Sequence, residues 1–186
     1  MLTRHSILLA IAISFSLAGC LDRPATEATG PSDNAPAKTA AESNVGSGTL
    51  FEYPVGGDAS AFPLAPGSFI SGSLPFHEGQ PIAIAVQIGN YGNTSDGSLS
   101  VELCQKDRCS TGTASLTSST DNAYLEIPIS PALDTADTSP FRYRLVKVAG
   151  SKQVAVWLYT LPPKIESPKV NDQTALFRTP KLALRF

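Results

Sequence analysis

His77 is the only histidine beyond residue 5, so any acid–base chemistry based on imidazole must use it. A Ser-His-Asp relay needs that ring between a hydroxyl and a carboxylate. No Gly-x-Ser-x-Gly elbow occurs anywhere in the chain. His77 itself lies in Leu-Pro-Phe-His-Glu-Gly-Gln-Pro (residues 74–81), a connection bounded by Pro and Gly in which Glu78 is the adjacent carboxylate. That context reads as a turn. Carboxylates are numerous (Glu52, Glu102, Glu126, Asp134, Asp137), but no spacing selects two of them as a glycosidase pair. Glu102 and Glu126 fall at outward positions of strand-like segments, where a solvated charge is the ordinary outcome. Asp134 to Ser139 and Asn93 to Asp96 offer oxygens of the kind Ca2+ takes. Asp, Asn and Ser also form turns without any metal, so no metal is assigned. Phosphate-cradling and dinucleotide-binding glycine patterns are missing. The chain is expected to need no cofactor and to be no enzyme, an unrecognised hydrolase being the alternative.

Two other groups of residues stand out. In residues 89–97, Gly-Asn-Tyr-Gly-Asn-Thr-Ser-Asp-Gly, the glycines and asparagines around Tyr91 predict an exposed loop. An exposed ring beside polar side chains suits the face of a sugar, so Tyr91, Asn90, Asn93 and Asp96 are the candidate ligand-binding residues. Packing of Tyr91 over a sheet edge explains the same ring without a ligand. Cys104 and Cys109 flank Gln-Lys-Asp-Arg, with the first ending one strand-like run and the second opening its return. A redox pair more usually has two intervening residues, and zinc would need two further ligands that the chain scarcely has. A hairpin disulfide is the expected outcome in an oxidising compartment.

The 186 residues are 42% hydrophobic and 16% charged, with 15 prolines and 14 glycines. The charged fraction lies well below the roughly 25% of ordinary soluble domains. A net charge of -2 leaves no cationic surface for phosphate neutralisation, so nucleic acid is excluded as a partner. Arg4 precedes an apolar run over residues 7–17. That run is too short for the roughly 20 residues of a membrane-spanning helix and of the right length for a signal-peptide core.

The run ends in Leu17-Ala18-Gly19-Cys20. This resembles the lipobox of bacterial lipoproteins, over the first twenty residues of the chain. The resemblance implies that residues 1–19 are a signal peptide, that cleavage precedes Cys20, and that Cys20 carries the acyl chains. Two or three chains on one residue hold a protein to a bilayer far better than the marginal binding a single chain provides. Leu21, not an acidic residue, follows Cys20. In that family this points to the outer membrane over the inner one, on its periplasmic or surface face. The membrane, through the lipid anchor, is then one partner.

Residues 20–48 contain little that can be buried and read as a disordered linker, spanning roughly 30 Å as a flexible coil. From residue 49 to 161 the pattern changes to short alternating runs. Residues 82–88 and 98–104 place large apolar side chains at every second position. Residues 124–129 do likewise, with Pro128 marking an edge strand. Residues 141–148 and 153–161 read as a hairpin across Ala-Gly-Ser-Lys, the second being a central strand with Trp157 in the core. Weaker candidates cover 50–53, 69–74 and 113–116. Seven or eight strands without an amphipathic helix predict an antiparallel β-sandwich, immunoglobulin-like or jelly-roll.

Residues 162–186 follow a Pro-Pro break as a tail, expected to be loose or to add one strand. The ending Lys-Leu-Ala-Leu-Arg-Phe is similar to the last strand of outer-membrane barrels. A barrel would need at least eight lipid-facing strands of roughly ten residues, and a lipobox argues for another route. The strand rhythm weakly resembles non-catalytic jelly-roll modules of bacterial envelope proteins that handle glycans. The function expected from all this is a lipid-anchored binding or accessory module for an envelope glycan or other ligand. A structural lipoprotein docking on an envelope protein is the alternative.

Overall fold

The computed structural model describes residues 48–186 except 134–136, 164, 172 and 175–176. The leader, Cys20, the linker to residue 47 and Asp134 lie outside the described residues. The described part is all β, in two antiparallel sheets.

The first sheet contains β1 (Leu50–Tyr53), β2 (Ala59–Leu64), β4 (Ala83–Gly89), β7 (Tyr124–Pro128), β9 (Val154–Thr160), β12 (Arg178–Pro180) and β13 (Leu182–Arg185). Its order is β1-β13-β4-β9-β12, with β2 also paired to β9 and β7 to β4. The second contains β3 (Phe69–Leu74), β5 (Ser98–Gln105), β6 (Arg108–Ser115), β8 (Phe141–Ala149), β10 (Lys169–Val170) and β11 (Gln173–Thr174). Its order is β11-β10-β3-β8-β5-β6. This is the β-sandwich predicted from the alternating runs.

The two-residue period decides which side chains form the core. Ile84, Val86 and Ile88 of β4 and Val154 and Val156 of β9 are fully buried against Leu99, Leu103 and Leu145 of the other sheet. Each such side chain contributes about 1.5–3 kcal/mol when removed from water. The alternate positions of β4, Ala83 and Ala85, are also buried, so that strand is covered on both faces. Among the described residues β7 pairs with β4 alone, as Pro128 implies, and a bridge between Thr111 and Ser130 then ties the segment after it to β6.

Two expectations are corrected. Residues 141–148 and 153–161 do not form a hairpin. β8 is hydrogen-bonded on both edges, to β3 and β5, so β9 finds its partners in the opposite sheet, in β2, β4 and β12. Both edges of β9 are occupied, which makes it the central strand its pattern predicts. Trp157 nonetheless lies half-buried on the outer face, where its indole N–H donates to Asn122 Oδ1 at 3.1 Å. The tail, expected to be loose or to add one strand, contributes β10 to β13. β13 lies between β1 and β4 with Leu182, Ala183 and Leu184 buried, so the tail is part of the core, and β2 is a further strand that the alternation did not single out.

Candidate functional site

The Tyr91 loop connects β4 of one sheet to β5 of the other. Tyr91 (φ 54°) and Asn93 (φ 66°) take left-handed backbone, where Asn is tolerated better than most residues. Both are exposed. Asn90 is fully buried. Its Nδ2 donates to Ser119 O at 2.7 Å and Asn93 Oδ1 at 3.0 Å, while its Oδ1 accepts from Asn93 N at 2.9 Å. Its backbone N–H donates to Asp121 Oδ1 at 2.5 Å.

Asp96 is similarly committed. Its carboxylate accepts from Ser151 N at 2.9 Å, Lys152 N at 2.8 Å and the Ser151 hydroxyl at 2.9 Å. The Ser151 and Lys152 N–H groups pull its pKa down to about 2. Here the expected ligand site is corrected for two of its four residues: Asn90 and Asp96 use their polar atoms to close the loop onto neighbouring turns, because a buried amide or a turn N–H left unpaired would cost more than either could gain from solvent. Tyr91 and Asn93 are the pair left facing outward.

Lys147 supports the same junction from inside. Its ammonium is buried and donates to Asp96 O at 2.5 Å and to Ala149 O. Burial lowers the Lys147 pKa, and the Asp96 charge opposes that shift.

Among the described residues, the acid–base candidates do not converge. The His77 ring stacks on Phe186, 4.7 Å away, and meets Phe51 at a tilt, 4.4 Å away, and its Nδ1 donates to Glu78 O at 2.7 Å. Glu52, Ala183, Ala85 and Glu126 form one row across β1, β13, β4 and β7. Three strand spacings of about 4.8 Å each separate the two glutamates by more than the roughly 5–9.5 Å of a glycosidase pair. Each also has a cation: Lys181 Nζ is 3.0 Å from Glu52, and Arg185 meets both Glu126 oxygens through Nε at 3.0 Å. Tyr124 is pushed up by burial first and by Glu52 second. Asp137 pairs with Lys106 and accepts from Ser139 N at 2.8 Å, and Lys106 holds its pKa below the usual value.

Cys104 and Cys109 are directly opposed in β5 and β6 and joined by a disulfide, with Cα atoms 4.0 Å apart. Glu102 lies close by, but bonded sulfurs have no thiolate to offer a metal.

One grouping escaped the sequence entirely. The outward residues of β3, Ser71 and Ser73, meet Arg144 and Arg142 of β8 in register, and Ser71 meets Lys169 of β10 on its other side. Ser71, Ser73, Arg142, Lys169 and Glu166 line a depression of about 190 Å³. A second, of about 330 Å³, adjoins it through Ser73 and Glu166 and is walled by Pro75, Phe76, Pro140 and Ile165. Gly72 allows this surface to lie close over the core, since a Cβ there would stand 2.6 Å from Tyr143 Oη. The only local signal is Ser-Gly-Ser between Ile70 and Leu74, which says nothing about which strands flank it. No family model matches the chain, and neither a curated protein nor a solved structure matches it.

Proposed function

We propose that this chain is a lipid-anchored protein of the bacterial cell envelope, attached through Cys20 to the outer membrane, whose sandwich is a non-catalytic module for an envelope glycan. The observation that carries the reading is Leu17-Ala18-Gly19-Cys20 at the end of an eleven-residue apolar run, over residues 7–17. The Cys104–Cys109 disulfide agrees with export, because such pairs persist in oxidising compartments. The non-catalytic part is supported by the stacking of His77 and by the cation beside each of Glu52 and Glu126. Groups arranged in this way are neutralised or packed, not aimed together at a reacting atom.

Mass spectrometry of protein isolated from native envelopes tests the anchor. A diacylglyceryl-modified amino-terminal Cys20 is expected. An unmodified amino terminus, or the leader still attached, overturns it. A thermal-shift screen of the same material against envelope polysaccharides tests the ligand class. No shift with any sugar, together with one dominant envelope protein co-purifying, replaces the glycan reading with a docking role.

A further inference from the structure

We infer that the groove from Lys169 and Arg142 to Phe76 and Pro140 is a binding site for an acidic saccharide, a short glycan bearing carboxylates. The inference rests on the glycan-binding reading and adds the place and the chemical class. The chain as a whole carries -2, yet on this face three cations, Arg142, Arg144 and Lys169, outnumber the two carboxylates, Glu102 and Glu166. Arg144 lies over the Phe69 ring, 4.1 Å from its centroid. Arg142 uses Nη2 on Lys106 O at 2.6 Å, which leaves other N–H groups of its five-donor fork for an anion. Lys169 brings an exposed ammonium to the same depression.

The rest of the lining matches a sugar ring better than a bare anion. The hydroxyls of Ser71 and Ser73 donate and accept, and the Glu166 carboxylate accepts from ring hydroxyls. Beyond them Pro75, Phe76 and Ile165 add apolar lining for a C–H face, the Phe76 ring itself being stacked on the buried Phe141. A uronic acid has these three features on one ring: a carboxylate, hydroxyls and an apolar face. The depression of about 330 Å³ lies at the small end of the roughly 300–1,000 Å³ of small-molecule sites, and the adjoining one, about 190 Å³, below it. They suit one or two rings of a chain that continues into solvent.

The test is calorimetric titration of the full lipidated chain in detergent micelles with trigalacturonate, a neutral galactose trimer and an Asp-rich peptide. Trigalacturonate is expected to bind more tightly than the neutral trimer, and less tightly as salt is raised. Lys169→Gln and Arg142→Gln should each weaken it about tenfold, the usual cost of losing a hydrogen bond to a charged group. An unchanged melting temperature in Lys169→Gln separates this loss from unfolding, and Tyr91→Ala should leave affinity unaltered. Equal binding of both trimers, or binding lost in Tyr91→Ala and kept in Lys169→Gln, overturns the groove and leaves glycan binding standing. Binding of the peptide alone overturns the saccharide class. Binding of none of the three overturns the groove, while the polysaccharide screen separately decides the wider reading.

Discussion

Lys147 Nζ donates to the backbone oxygen of Asp96 at 2.5 Å, while the Asp96 carboxylate accepts from the backbone N–H groups of Ser151 and Lys152. One residue thus joins the β4–β5 connection to the β8–β9 connection, and both of these chain segments cross between the sheets. Gly150 belongs to the same junction: at φ 94° it takes backbone that side chains disfavour, and a Cβ there would lie 2.5 Å from Asp96 O.

This junction makes the stability depend on acid pH. The Asp96 pKa is about 2 in the folded chain against an ordinary 3.8. The folded state therefore binds fewer protons than the unfolded one between those values. The contribution of Asp96 is fully present above about pH 4 and lost as pH falls towards 2. Asp137, held low by Lys106, acts in the same direction. Asp96→Asn should lower the melting temperature at pH 6 and shrink the fall in stability between pH 4 and 2. Denaturant titrations at pH 6, 4 and 2.5 check this, and an unchanged slope counts against the junction.

Asn90 and Tyr91 are neighbours with opposite expected costs. Asn90→Ala strips partners from Ser119 O and Asn93 N inside the loop. It should cost about 1–3 kcal/mol, the penalty for leaving buried polar groups unpaired. Tyr91→Ala at an exposed position should fall within about 0.5 kcal/mol of the parent. Chemical unfolding of the two variants side by side measures the difference.

The disulfide closes a six-residue span, from Cys104 to Cys109. A loop so short yields about 2 kcal/mol by the chain-entropy estimate. The double variant Cys104→Ser/Cys109→Ser should stay folded, because eight register pairs hold β5 to β6 and β8 flanks β5 on its other edge. Its unfolding midpoint should match that of the parent in reductant.

Leu184 is fully buried in β13, between Phe51 of β1 and Ile84 of β4. Leu184→Ala should cost about 2–5 kcal/mol, as large-to-small changes in a core do. Removal of residues 182–186 should abolish the cooperative transition, since it exposes the facing edges of β1 and β4. A loose tail would tolerate both changes, and circular dichroism on heating distinguishes the cases.

What the sequence determined by itself is local. The period of residues 82–88 and 98–104 placed Ile84, Val86, Leu99 and Leu103 in the core, because alternation along one strand needs no partner to be recognised. Pro128 marked an edge through its own missing N–H, and the six-residue span between the cysteines implied a hairpin that the register of β5 and β6 contains. The Leu-Ala-Gly-Cys run is likewise a local pattern.

The tertiary structure decided whatever depends on which strand lies beside which. The hairpin read from residues 141–161 failed because β8 had both edges filled from elsewhere, and a strand's pattern records its faces but not the owners of its edges. The last strand, separated from its partners β1 and β4 by more than ninety positions in sequence, carries no mark of that pairing. Arg142 lies 69 positions from its register partner Ser73, and Lys169 lies 98 from Ser71, so these residues meet only through register. Conversely, Asn90 and Asp96 looked available from composition, yet burial and the N–H groups of distant turns claimed them. Backbone hydrogen bonding between remote segments has no sequence signature of its own, so the groove and the closed loop became visible only in the folded sheets.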